Sequence, residues 1–274
     1  MSIVRADKLE IKQRGFQAAM NRRISTAEKI RRRIEPIDVS ACYSSLAHSH
    51  LVIAFYKYFV QQDQVQLKQN LYTACRLELA AIAIDGFQKF TVPTDILYAL
   101  LSGSSKLIES VTTLEFDYFV DQCQNPRNSE YKVRMWQLAV QRDDEQLEKQ
   151  VNNLARKGRK YDQLAVNTKE DFFSMLLRGE KAGLEDLIAR HASVPEKNAL
   201  MEYYFSGLAT LETKVCWHRG IHVEIDHPLV PMELMKTHPL PQYDDIYDFL
   251  APDWSPPSRG MFGKLFRFFS ESLD

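Results

Sequence analysis

The side chains most able to do chemistry in this 274-residue chain fall into a few groups. His218, His222 and His227, with Glu224 and Asp226 between them, come nearest to a metal-ligand set. His218 and His222 are one helical turn apart and would share a face, but Gly220 between them predicts a helix end. That leaves two of the three histidines in loop and argues against a metal. His48 and His50 are two residues apart, which on a helix sends them to different faces. The carboxylate pairs Asp143/Asp144 and Asp244/Asp245 are adjacent in sequence, not opposed across a cleft, so turn chemistry and helix N-terminal charge account for them better than acid–base catalysis. No phosphate loop, dinucleotide fingerprint, nucleophile elbow or His-Glu-x-x-His motif occurs. We therefore expect a non-enzyme without cofactor or metal.

The stretch with most promise for recognition is acidic and aromatic: Tyr243, Asp244, Asp245 and Asp248, with Trp254 close behind. Carboxylates flanked by rings can fill a basic cleft on a partner, the rings giving rigid contact area and the carboxylates charge-assisted bonds. The same residues could equally form a solvated turn whose rings pack onto the protein's own surface.

The elements that must carry these residues read as helices. An apolar residue closes one helix at Val60, Leu101, Val140 and Leu177, and a turn of Gly, Asp or Ser type follows. A second helix then opens on Leu67/Leu71, Leu107/Val111, Leu147/Val151 and Leu184/Ile188, at intervals of 40, 40 and 37 residues. Each pair stacks two apolar side chains on one face. A recurrence near 40 is the mark of stacked helix pairs that cannot bury their stripes alone. The expected fold is all-α: stacked antiparallel helical hairpins, solenoid-like or a bundle, with a Pro-rich, irregular C-terminal cap. Glycine numbers only 10 in the chain, about half the usual ~7%, which fits helices better than Gly-rich turns.

The organisation divides at 1–36, 37–220, 221–250 and 251–274. The first part is a basic helix over 8–34 stopped by Pro36. The second holds hairpins at 39–86, 94–123, 129–158 and 168–192, with Thr168 and Asp171 resembling a capping box, and a long helix over 195–219 opening on Pro195. Between 51 and 60 only Lys57 is charged, so this helix should be the most buried, with Phe55 and Phe59 in the core. The third part contains a short extended run at 221–226 and loops laid over the last repeats. The fourth is a linker and an amphipathic segment bearing Phe262, Leu265, Phe266 and Phe269. That segment could dock on its own protein, join two copies into a homodimer, or meet a partner or a membrane surface.

A net charge of −1 removes the simple case for nucleic-acid binding. The ends are nevertheless of opposite sign, +6 over 1–36 and −5 over 222–274. No run approaches ~20 apolar residues, so no stable membrane insertion is expected. The N-terminus lacks the apolar core of a secretory signal, and the four cysteines form no Cys-x-x-Cys pair, so the expected setting is the cytoplasm with reduced thiols.

One stretch carries a family likeness. From Gly207 onward a helix rich in small residues is followed by Gly220, Val223, Asp226, Pro231 and Leu234, with Met235 where a second leucine is common. This resembles the C-terminal signature of the immunity protein 49 family of bacterial polymorphic toxin systems. The junction at 176–180 matches the family's Leu-Leu-x-Gly-Asp with Glu180 replacing Asp, and 100–104 matches it loosely. The likeness covers about 94–250. It implies an all-helical protein that binds and neutralises a toxin encoded nearby, by occlusion and without enzymatic activity. The alternative is a helical-repeat adaptor that holds peptides or other proteins.

Overall fold

The computed structural model describes residues 6–32, 37–85, 94–202, 204–251 and 253–254. Among these the protein is all-α. A long helix α1 (Ala6–Arg32) precedes the hairpin α2 (Val39–Phe59) and α3 (Gln64–Asp85). Shorter helices follow: α4 (Thr94–Ser102), α5 (Ser105–Thr112), α6 (Asp117–Gln122), α7 (Ser129–Gln141), α8 (Asp144–Lys157) and α9 (Lys160–Asn167). The last three are α10 (Phe172–Arg178), α11 (Lys181–Ala192) and α12 (Gly207–His218), and single 3-10 turns lie at Met232–Leu234 and Asp248–Leu250. No described helix is long and apolar enough to cross a membrane.

The recurrence near 40 residues has a backbone cause. The turns that join α2 to α3, α4 to α5, α7 to α8 and α10 to α11 each hold one left-handed residue: Gln62, Gly103, Arg142 and Gly179, with φ of 57°, 80°, 62° and 66°. Such a residue lets the chain double back while closing the last carbonyls of the outgoing helix. After Arg142, for example, the Asp143 amide donates to the Leu138 carbonyl at 3.1 Å. Three of the next residues then cap the incoming helix. Asp63 accepts from the Gln66 amide, Ser104 from Leu107 and Asp143 from Gln146, satisfying donors that a helix start leaves open. Only two of the four left-handed positions are glycine, so the motif is carried by phase more than by composition.

Helix α12 ties the molecule together. From Ala209 to Cys216 every residue is buried, and the helix packs against α4, α7 and α11. Its return to α4 closes the stack as a bundle does, whereas an open solenoid contacts only its neighbours in sequence. The core is continuous from Ile30 of α1 to Phe249. Phe55 is fully buried and meets Tyr98, Tyr204 and Phe205, while Phe59 is only partly buried. The four cysteines are free thiols, Cys42 half-buried and the others buried.

Several expectations need correction. The helix expected over 195–219 starts at Gly207 instead. The described residues between 195 and 206 form no helix, with turns over 199–202, and Glu196 accepts from the Gly207 amide at 2.8 Å. A Cβ at Gly207 would lie 2.6 Å from the Met201 sulfur, so a larger residue here would have to displace that side chain. Helix α9 was not anticipated. Thr168 closes that helix by donating to the Leu164 carbonyl, and Asp171 alone caps α10, so no capping box joins the two. The run 221–226 forms no strand, although Val223 and Ile225 are buried and His222, Glu224 and Asp226 exposed, in the alternation of an extended chain. The C-terminal cap touches the last repeat where the Glu224 amide donates to Glu185 of α11, and from His238 onward it runs back over α3 and α2. The breaks at Pro36 and Pro93 and the Phe-rich segment at 261–269, with the homodimer suggested for it, lie outside the described residues.

Candidate functional sites

The acidic-aromatic stretch lies along the first hairpin. Tyr243 stacks on Tyr72 with ring centroids 4.8 Å apart, and its hydroxyl donates to the Ser102 carbonyl at 2.6 Å. Asp244 exchanges two backbone hydrogen bonds with the Gln69 amide, 2.9 and 3.0 Å, leaving its carboxylate exposed. Asp245 accepts from Arg76 at 3.0 Å and from the Tyr72 hydroxyl at 3.1 Å. Asp248 accepts from Arg31 at 2.9 Å, and that pairing holds its carboxyl below the usual range. Trp254 is half-buried, edge-on to Phe249 at 6.0 Å. The basic end of α1 therefore meets the acidic cap of the same chain through Arg31. Four of the five residues make contacts within the protein through their side chains, and Asp244 with the exposed Ile246 faces outward.

Beneath this strap lies a polar lock. His50 is 1% exposed, in the middle of α2 and directly before its apolar run at 51–56. Its Nδ1 is 2.7 Å from Asn70 Oδ1 and its Nε2 2.8 Å from the Tyr247 hydroxyl. The Asn70 amide nitrogen donates to the Gln66 carbonyl, so its oxygen faces the ring and must accept. That fixes the tautomer: Nδ1–H donates to Asn70, and Nε2 accepts from Tyr247. Burial without a counter-charge lowers the His50 pKa to about 4. Two buried lysines hold the neighbouring chain. Lys214 donates to the carbonyls of Leu234 and Met235 at 2.8 and 3.0 Å, and Lys68 to that of His238. Burial brings the Lys214 pKa down to about 8.

The candidate metal residues do not come together. His222 lies tilted against Trp217, ring centroids 4.6 Å apart, and His227 accepts from the Leu229 amide. Among the described residues no three His, Cys, Asp or Glu side chains are placed to share an ion. Asp143 caps α8 and Asp144 pairs with Arg219 at 2.6 Å, so both act on helix ends.

An open groove of about 880 Å³ lies where α5, the end of α7, the end of α12 and residues 235–237 meet. Ile108, Val140 and Trp217 line its apolar part, and Glu109, His222 and Lys236 bring charge or hydrogen-bonding capacity. Trp217 is held by donating to the Val223 carbonyl at 2.9 Å, and Gly220, with φ of 86°, turns the chain so that this bond forms. Burial, and then the nearby Arg142, lowers the His218 pKa. The sequence weighs His218 and His222 as metal ligands, argues against that role, and does not point to the groove, whose lining comes from four separate segments. The one local signal is the half-buried pair Trp217 and His218 at the end of α12.

Comparison of the chain with models of known protein families, with curated proteins and with solved structures gives no match. The residues that carry the likeness to the immunity family serve the fold. Val223 and Leu234 are buried, Pro231 sits ahead of a 3-10 turn, and Gly220 makes the left-handed turn.

Proposed function

We propose that the protein is an immunity-type inhibitor: it acts in the cytoplasm without catalysis, binding a toxin encoded nearby and occluding its active site or substrate groove. The observation that carries this reading is a coincidence of place. The stretch that resembles the immunity family, from Gly207 to Met235, also supplies Trp217, His218, His222 and Met235 to the open groove. A wide, half-apolar groove with a ring at its wall suits a protein surface, since buried aromatic anchors dominate such contacts. Asp244 and Ile246 offer a second, outward-facing edge for the same partner.

The test is co-expression with the toxin domain encoded beside this gene, followed by capture and a growth assay. The exposed groove residues His222 and Lys236 can be changed to glutamate with little effect on folding. Rescue by the wild-type chain and its loss in the double variant are expected, with affinity falling about a hundredfold. Failure of the wild-type chain to bind or protect would overturn the reading. The left-handed junctions repeating at 62, 103, 142 and 179 favour a second one, a helical-repeat adaptor. Recovery of several weakly held, non-toxic partners would support it.

A further inference from the structure

At the other end of the α7 and α12 pair lies a smaller pocket of about 300 Å³. Helix α7 gives Val140 and Gln141 to the groove but Lys132 and Trp136 to this pocket. Helix α12 likewise gives Trp217 and His218 to the groove and Leu208 and Glu212 to the pocket. The walls are flat rings: Trp136 lies 4.9 Å from Phe172 and 4.7 Å from Phe173, centroid to centroid. Leu208, at 44% exposure, lines the mouth, and the exposed Tyr161 ring lies 5.3 Å from Lys132 Nζ.

The charge inside is negative. Asp162, Glu170, Asp171 and Glu212 line the pocket, against Lys132 and His191. Both cations are engaged, Lys132 with Asp162 at 2.6 Å and His191 Nδ1 with Glu212 at 2.9 Å. Glu170 and Asp171 therefore have no cation among the lining residues. Asp171 spends one oxygen capping the Ser174 amide, while the other, Oδ2, is buried and has no hydrogen-bond partner. Glu212, at 1% exposure, has the single His191 Nδ1–H shared between its two oxygens. A buried carboxylate oxygen without a donor costs about 1–3 kcal/mol, so a guest that brings N–H groups is favoured here.

We propose that this pocket binds a guanidinium group on a short apolar stem. Anions are repelled by four carboxylates, and a neutral apolar guest would leave the Asp171 oxygen without a donor. An ammonium group is a compact, strongly hydrated charge. A guanidinium is planar, more weakly hydrated and carries five donors, so it can stack on the ring walls and serve two carboxylates together. The volume takes one such group and its stem, not a folded peptide. The site is separate from the groove and stands whether or not that groove binds a toxin.

The test uses the purified full chain and butylguanidine, followed by calorimetry and by the indole N–H signal of Trp136, assigned through Trp136→Phe. Saturable binding that moves this signal is expected, with N-butylurea, uncharged and of the same length, and butylammonium each binding at least about tenfold more weakly. Asp171→Asn keeps an oxygen to cap α10 but puts an amide where Oδ2 stood, and should weaken butylguanidine about tenfold or more. Glu170→Gln, on the exposed rim, gives a milder variant should the first lose its fold. N-acetyl-arginine methylamide separates the sources. Binding equal to butylguanidine marks a pocket for an arginine side chain of a protein, and binding of butylguanidine alone a pocket for a free small cation. No saturable response, or a response to the urea or to butylammonium equal to that of butylguanidine, would overturn the proposal.

Discussion

His50 and His191 are both imidazoles set into the helical core, and they respond to protons in opposite directions. His50 sits between an amide oxygen and a phenol, neither charged, and burial drives its pKa down to about 4. His191 faces the buried Glu212 carboxylate, whose hydrogen bond raises its pKa above the usual value despite partial burial. Burial alone does not set the sign; the charge of the partner does. The consequence for stability follows from which state holds more protons. Between about pH 6.5 and 4 the unfolded chain takes a proton on His50 that the folded one refuses, so stability falls as pH drops through that window. The His191 contribution is fully present below about 6.5 and is lost as pH rises through its raised folded value.

The largest effect should come from His191→Ala. It leaves Glu212 buried with no donor and should cost about 3 kcal/mol in urea unfolding near pH 6. Adding Glu212→Leu should return a large part of that loss, because the uncompensated charge goes with it. His50→Leu should cost about 2 kcal/mol near pH 7, since Asn70 and Tyr247 each lose a partner. The same variant should flatten the acid limb, where the wild type gives up as much as about 3 kcal/mol from this one ring. Tyr247→Phe removes one hydrogen bond and should cost about 1 kcal/mol while leaving the acid limb nearly intact, because desolvation, the main cause of the shift, persists. Asp245→Asn is the smallest change. Its pair with Arg76 is half in solvent, so the loss should stay below about 0.5 kcal/mol and vanish in high salt.

The hairpins were legible in the sequence because their signal is local. An apolar close, a turn and an apolar pair one turn apart recur at fixed phase, and Asp63, Ser104 and Asp143 supply caps within three residues. Where signals competed, the reading failed. Pro195 suggested a helix start, but the N-cap is Ser206, and the first helical amide, Gly207, is answered by the Glu196 carboxylate. Arg142 and Gln62 adopt conformations that glycine usually advertises, so composition gave no warning. The pocket was invisible because Lys132, Asp162, His191 and Glu212 come from four helices and meet only after packing. His50 left a usable trace: a histidine inside an apolar helix needs buried polar partners. Which partners they were, 20 and 197 residues away, no local pattern could say.

That separation has a meaning in time. The hydroxyl that completes His50 belongs to Tyr247, and the Tyr43 hydroxyl donates to the carbonyl of Phe249, 206 residues on. On a ribosome working at ~5–20 residues per second, the completed first hairpin emerges ~8–30 s before the strap that finishes it. Through that interval α2 carries an apolar face and an imidazole with one of its two partners still missing, a state open to aggregation and to chaperones. Contacts this distant in sequence also slow the search for the native state. The first hairpin made is thus among the last parts to be completed, and a chain interrupted before Tyr247 would hold its helices without their lock.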